Sequence, residues 1–353
     1  MKKHKICKIL LVILAIFLCV AFYELLGICV AYKKQPEVSN TTKKETKNGS
    51  WNECSENTER AVIIEKNPEA LLQRVRLIKN AKKEIILSTF AFQSDESGKL
   101  ILGALHDAAD RGVHIRLLVD GMESWIDMEG NPYFYGLSSH ENVEIKLYNK
   151  ANPLKPWKMM GRMHDKYLIA DGKRYILGGR NTYNYFLGDF PGHKNYDRDV
   201  LVVCDEPEKE NSVNQLLEYF ETIWEQEDSG YFHDNKKLAN RKSVKNAVLE
   251  LQNGYQKYFE ENKERICDTD YTDETFETEK IALVSNPIHT GSKEPVVWYQ
   301  LGELMKNAKN RVKIHTPYII CNDMMYNTWE EIAENISDFS IMTNSVANNG
   351  NPF

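Results

Sequence analysis

Apolar positions run unbroken near the start of the chain and turn periodic after it. From Ile9 to Tyr23 there is no charge, and Leu25 to Tyr32 continues apolar after Glu24. Twenty-odd such residues wound as a helix cross a bilayer core of ~30 Å. Lys2, Lys3, Lys5 and Lys8 precede the run, and Lys33, Lys34, Lys43, Lys44 and Lys47 follow it, so the lysine bias leaves orientation open. A cleaved signal peptide is the competing reading. Against it stand the length of the run and a cleavage site no better than Cys29-Val30-Ala31. The expectation is an uncleaved transmembrane anchor at 6–32, with the extracytoplasmic side favoured for the rest of the chain. Residues 33–60 are polar and rich in lysine, threonine and asparagine, which predicts a flexible tether.

Beyond the tether the pattern alternates between helical and strand periods. Pro68 opens a helix whose Leu71, Leu72, Val75 and Ile78 recur at helical spacing. Strands are predicted at 84–92, 113–119 and 143–148, and a helix at 100–111, closed by Gly112. A hairpin comes next, with Asp171-Gly172-Lys173 as its turn and Tyr175-Ile176-Leu177 on its return. Then come a strand at 200–204, a helix at about 208–226, a further helical stretch to about 264, and an acidic linker at 268–279. Strands alternating with helices predict an α/β fold, a mixed sheet flanked by helices.

The pattern then starts again. Lys79-Asn80-Ala81-Lys82 returns as Lys306-Asn307-Ala308-Lys309, an offset of 227 residues, and at that offset Ile85, Leu87 and Phe92 meet Val312, Ile314 and Ile319. Two lobes of one architecture are expected, the first at 61–265 and an incomplete second at 266–353.

Composition narrows the partners. The net charge is −6, but the first fifty residues hold nine lysines and three glutamates, which leaves −12 on the rest. An acidic globular part disfavours nucleic acid, whose binding needs clustered positive charge. Seven cysteines stand at 7, 19, 29, 54, 204, 267 and 321, with no C-x-x-C pair and no cluster at zinc-ligand spacing, so no metal is expected. One disulfide among Cys54, Cys204, Cys267 and Cys321 is open to the chain outside the cell, and free thiols are the expectation.

The candidate chemistry lies in the hairpin. From His164 the chain reads H-x-K-x4-D-x6-G-G-x-N, through Lys166, Asp171, Gly178, Gly179 and Asn181. Residues two apart on a strand share a face, so His164 and Lys166 are expected side by side. The return strand brings Gly178, Gly179 and Asn181 back towards them. The glycines permit close backbone approach and Asn181 offers amide donors. A nucleophilic nitrogen, a cation and neutral donors around one point suit a phosphate oxyanion.

This stretch resembles the signature of the phospholipase D superfamily, and the sequence from Pro68 to Gly121 and the run Asn195 to Leu201 resemble its bacterial phospholipase D and cardiolipin synthase branch. The resemblance implies a two-step reaction without a metal or other cofactor: one histidine forms a phosphohistidine, and a second, from a second motif, protonates the leaving alcohol. By motif position His164 is nucleophile or general acid, while Lys166 and Asn181 bind phosphate oxygens beside Gly178 and Gly179. Asp171 is expected to brace the hairpin more than to touch substrate. Asp199 is the candidate for orienting His164, with Asp197 its rival. Trp157 either helps line an apolar entrance or serves as a core or lid residue. No second H-x-K stands in the 353 residues, so a truncated or frameshifted product, or a fragment, is expected. Little activity is expected of the chain without a second H-x-K-bearing chain or a homodimer partner. The expected function is hydrolysis or transfer on phospholipids at a membrane; the alternatives are a nuclease of the same superfamily and an inactive membrane-anchored half-enzyme.

Overall fold

The computed structural model describes residues 2–49, 59–204, 206, 211–233 and 235–345. The expectations for Cys54, for residues 50–58 of the tether and for the chain beyond 345 lie outside these residues. The chain divides into two compact units: the first comprises residues 1–34, 54–283 and 288–292, the second residues 35–53, 284–287 and 293–353.

The first unit opens with helix α1 (Lys2–Tyr32), whose segment Ile6–Tyr32 is long and apolar enough to cross a membrane. At 1.5 Å per residue those 27 residues span about 40 Å, more than a bilayer core. In the second unit, the polar stretch expected as a tether contains helix α2 (Asn40–Asn48). Ser39 caps it by accepting from the Thr42 N–H, and Gly49 closes it in the left-handed region at φ 75°. The Glu294 carboxylate also accepts from the Ser39 N–H at 2.8 Å and the Thr42 hydroxyl at 2.7 Å. A polar composition weakens a helix but does not forbid one whose ends are satisfied this well.

The body of the first unit is then built from β1 (Glu59–Ile64), α3 (Asn67–Asn80), β2 (Glu84–Thr89), α4 (Glu96–Asp110) and β3 (His114–Asp120). There follow α5 (Gly121–Asp127), α6 (Pro132–Ser138), β4 (Val143–Tyr148) and the hairpin β5 (Tyr167–Ala170) and β6 (Arg174–Gly178). It ends with β7 (Asp199–Cys204), α7 (Ser212–Trp224), β8 (Ser229–Tyr231), α8 (Lys242–Glu261), α9 (Lys263–Cys267) and β9 (Phe276–Glu277). The strands form one mixed sheet in the order β8-β4-β3-β2-β5-β6-β7-β1-β9. The β2-β3-β4 block is parallel and every other pairing is antiparallel.

Both faces of the sheet are covered, which is why its central strands read as nearly continuous apolar runs. Ile85, Leu87, Ile115 and Leu117 pack with Leu71 and Val75 of α3, Leu102 and Leu105 of α4 and Leu251 of α8. The intervening residues Ile86, Leu118 and Val202 face α7 through Leu216, Phe220 and Ile223. The local signals behave as their chemistry dictates. Pro68 sits in the first turn of α3, Gly112 stops α4 at φ 88°, and Asp171 and Gly172 form the hairpin turn at φ 55° and 62°.

The acidic stretch 268–279, expected as a linker, packs on the first unit. Arg76 is fully buried; it bonds to the Asp268 and Asp270 carbonyls, pairs with Glu274 at 2.8 Å and lies 3.9 Å over the Tyr271 ring. β9 adds to the edge of β1. Asp268 and Glu274 of this stretch answer the buried Arg76 cation, which neither composition nor period reveals. The boundary between the units accordingly falls at about 283 and not at 266.

The second unit continues with α10 (Val296–Lys306), β10 (Arg311–His315), α11 (Asp323–Asn335) and β11 (Asp338–Met342). β10 and β11 pair in parallel, around a small core of Val312, Ile332 and Ile336. The order helix, strand, helix, parallel strand repeats that of α3, β2, α4 and β3. Among the described residues Cys267 and Cys321 carry free thiols.

Candidate active site

Strand direction gathers the candidate residues at one end of the first unit's sheet. β2, β3 and β4 finish there, β5 and β7 start there, and β6 finishes there. Phe90, Asp120, His164, Lys166, the Gly178–Asn181 turn and Asp197 to Asp199 therefore converge from distant parts of the chain.

His164 and Lys166 lie in the extended run just before β5, one to three residues ahead of its first strand residue. The Lys166 carbonyl still accepts from the Gly178 N–H at 3.1 Å, so the pairing of the hairpin reaches the site. The Lys166 side chain is 6% exposed and its ammonium donates to the His164 carbonyl at 2.6 Å. His164 is exposed as a residue, while its ring is partly covered. It meets Phe90 edge-on at 4.5 Å between centroids, and neither ring nitrogen has a hydrogen-bond partner among the described residues. Phe90 also carries Lys166 and Arg162 over its ring, at 5.2 and 4.9 Å. One aromatic face thus backs both groups and orders two cations near the imidazole.

Burial pushes the His164 imidazole down to about 4, helped by the charges of Lys166 and Arg162 and opposed by Asp120. The open face of the ring admits water, which limits the desolvation, but both neighbouring cations push in the same direction. His164 is neutral at pH 7. Burial likewise lowers the Lys166 ammonium to about 8, against the pull of Asp165, Asp197 and Asp120. It remains mostly protonated at pH 7.

Asn181, 7% exposed, accepts from the Ala91 N–H at 3.1 Å through its side-chain oxygen. Its amide hydrogens have no hydrogen-bond partner among the described residues. Thr182 and Ala91, and Gln93 and Thr182, exchange backbone bonds beside it, which ties this turn to the end of β2. The two glycines are a steric requirement. A Cβ on Gly178 would stand 2.0 Å from an Asp199 oxygen, and one on Gly179 2.2 Å from an Asp197 oxygen. The glycines let two carboxylates cross close over the backbone.

Asp199 does not orient His164. Its carboxylate is fully buried and bridges Arg74 at 2.9 Å and Arg180 at 3.2 Å. Arg180 in turn donates to Asn67 Oδ1 and to the carbonyls of Ile64, Glu65 and Asp197. Of the two aspartates Asp197 has the clearer electrostatic link to the site, since its charge raises Lys166. Asp171 is remote. Its carboxylate accepts from the backbone N–H groups of Lys82, Lys83 and Glu84 at 2.9, 2.7 and 3.0 Å. It lies at the far end of β5, seven residues or about 20 Å of extended chain from His164. It braces the start of β2 and takes no part in the site.

Sequence reasoning missed Phe90, Arg162 and Asp120. Asp120 accepts from the Met163 N–H at 3.0 Å and pairs with Arg162 at 2.7 Å, which fixes the segment leading into His164. The signal for Arg162 was present, since it stands two residues before His164. The signal for Asp120 was not: its partners depend on strand order.

The chain is similar in sequence and in fold to several known proteins. The family model described as cardiolipin synthase, PLD-like domain, matches residues 74–224. An uncharacterized protein of Helicobacter pylori (strain ATCC 700392 / 26695) is 28% identical, covering 81% of this chain and 59% of that protein. Cardiolipin synthase C of Escherichia coli (strain K12) is 29% identical over 44% of this chain and 34% of its own length. Among solved structures, phosphatidylserine synthase of Haemophilus influenzae Rd KW20 superposes with a TM-score of 0.58 at 16% identity, over 86% of this chain and 66% of that one, which is a likeness of fold. The chain spans less than two thirds of the length of these relatives.

Proposed function

We propose that the chain, whose residues 74–224 match a PLD-like domain and which resembles cardiolipin synthase C of Escherichia coli, is a member of the phospholipase D superfamily acting on phospholipid phosphodiesters, with His164 as the group that bonds to phosphorus. The observation that carries this is an exposed histidine, its ring nitrogens without a hydrogen-bond partner among the described residues, beside a buried ammonium that donates to its carbonyl; burial and the Lys166 charge hold the imidazole low. A neutral ring has a free lone pair for attack; a general acid would need the proton that Lys166 and Arg162 disfavour.

In this scheme a His164 ring nitrogen attacks phosphorus, and the bond from phosphorus to the leaving alcohol breaks. Lys166 and the Asn181 amide hold the non-bridging oxygens as charge shifts onto them. Water or a second alcohol then attacks the phosphohistidine, releases His164 and gives its proton to the base left by the first step. The alkoxide leaving in the first step needs a proton. No other histidine among the 353 residues stands two before a lysine, and we assign that proton to a second H-x-K segment, carried by a further polypeptide segment, another chain or a second copy. Phospholipid is favoured over nucleic acid by the net −12 beyond the first fifty residues and by the apolar α1. The same scheme serves hydrolysis or transfer of a phosphatidyl group; the accepting alcohol decides between them.

Leaving-group chemistry tests this directly. A nitrophenolate departs without being protonated. The full chain in nanodiscs should therefore release nitrophenol from a phosphatidyl nitrophenyl ester while turning over phosphatidylglycerol poorly. His164→Ala should abolish the release. Nitrophenol release that survives His164→Ala, or rapid phosphatidylglycerol turnover in nanodiscs that hold a single copy of the chain, would overturn the assignment. Cleavage of single-stranded DNA in preference to either lipid would favour the nuclease.

A further inference from the structure

The sheet end that holds His164 also carries large apolar side chains turned to solvent. Trp125 and Ile126 stand on α5, which follows β3, and Leu154, Trp157 and Met160 stand on the loop that follows β4. Each is between 46% and 78% exposed. β3 and β4 are neighbours, and the two segments touch: Gly121 packs on Tyr148 and Lys150, and Met122 lines a cavity of about 180 Å³ with Asn149, Lys155 and Met159. Five such residues on one rim are unusual for a surface facing water only.

Helix α1 indicates what covers them. The loop after β4 is seated against that helix: the Tyr23 hydroxyl donates to the Leu154 carbonyl at 3.0 Å, and Gly27 lies so close to Pro156 that a Cβ there would approach its ring to 2.5 Å. Twenty residues from Ile6, the thickness of a bilayer core, end at Leu25. The contact at Tyr23 and Gly27 therefore sits where acyl chains give way to headgroups, the depth that tryptophan and tyrosine favour.

We propose that Trp125, Ile126, Leu154, Trp157 and Met160 form a collar that inserts into the headgroup boundary of the bilayer that α1 crosses. The collar holds the first unit with its His164 end against the membrane, so a lipid phosphate reaches the imidazole without leaving the bilayer surface. Exposed Lys155 beside the collar adds attraction to anionic headgroups. The inference rests on α1 crossing a bilayer and does not depend on the chemistry proposed for His164.

Tryptophan quenching tests it on the full chain, because α1 contains no tryptophan. The chain is reconstituted into phosphatidylcholine nanodiscs with and without dibrominated acyl chains. Bromine quenches only rings within or at the edge of the acyl region. The parent chain should be quenched, and W125F/W157F should lose at least half of that quenching. W224F, which alters a core ring on the last residue of α7, should keep it. The collar is overturned if W125F/W157F is quenched as much as the parent. It is equally overturned if aqueous iodide, and not bromine, quenches Trp125 and Trp157 in the reconstituted chain, as for a surface facing solvent or a protein partner. Resistance of the chain to alkaline carbonate extraction reports α1 separately, so failure of the anchor and failure of the collar are distinguishable.

Discussion

Removing the Asp199 carboxylate separates a structural role from a catalytic one. Its side chain has no exposed surface, and one of its oxygens lies 2.9 Å from Arg74 and 3.2 Å from Arg180, themselves 5% and 0% exposed. Asp199→Ala leaves two guanidinium groups buried without their shared counter-charge. Breaking one partner from a buried pair costs about 3–5 kcal/mol, because the remaining charge is left uncompensated. Burial already lowers the Arg180 guanidinium, and Asp199 is the first group that opposes this. For a unit of this size, 3–5 kcal/mol lowers the melting midpoint by roughly 6–20 °C. The assay is intrinsic-fluorescence melting of the full chain in detergent, alongside nitrophenol release per folded molecule. Melting should fall by that amount, and adding Arg74→Met should restore part of it, as a double-mutant cycle on coupled groups requires. The reasoning is refuted if Asp199→Ala melts within about 2 °C of the parent while nitrophenol release collapses. That outcome would make Asp199 a partner of the reacting imidazole and not a clamp beneath it.

The pH profile of nitrophenol release should be a plateau. His164 must be neutral, so activity rises through about 4, and Lys166 must be charged, so activity falls through about 8. In Lys166→Met, NMR titration of His164 should move upward from about 4 towards the ordinary imidazole value, since a lowering charge is gone; an unchanged or lower value refutes the coupling. Asp171→Ala should cost about 1–2 kcal/mol in urea unfolding, as three backbone donors lose their acceptor, two of them open to water. Its release of nitrophenol per folded molecule should stay at the parental level, and a selective loss there would return Asp171 to the site. Gly178→Ala forces a Cβ against the Asp199 carboxylate and should destabilise the fold by more than the roughly 0.5–1 kcal/mol that a free glycine exchange involves; a stabilised variant would contradict the close crossing.

Much of this protein follows from local pattern. Period and punctuation located β2, β3, β4 and the hairpin, because alternation, a Pro68 start and an Asp171-Gly172 turn act within a few residues of themselves. The pairing of β5 with β6 was legible for the same reason, since a hairpin returns its end to its beginning. The apolar α1 needed only its length. Tertiary structure alone decided where the charges go. Asp199 faces Arg74 from α3, Arg76 gathers the acidic stretch 268–279, and Asp120 holds the approach to His164 through Arg162. Each partner lies from about 40 to about 200 residues away, and a buried charge takes whichever opposite charge the strand order sets beside it. Helix α2 belongs to the same class, as its caps borrow a carboxylate from Glu294. Short-range steric and periodic preferences are written in consecutive residues, whereas electrostatic pairing exists only once the sheet has closed.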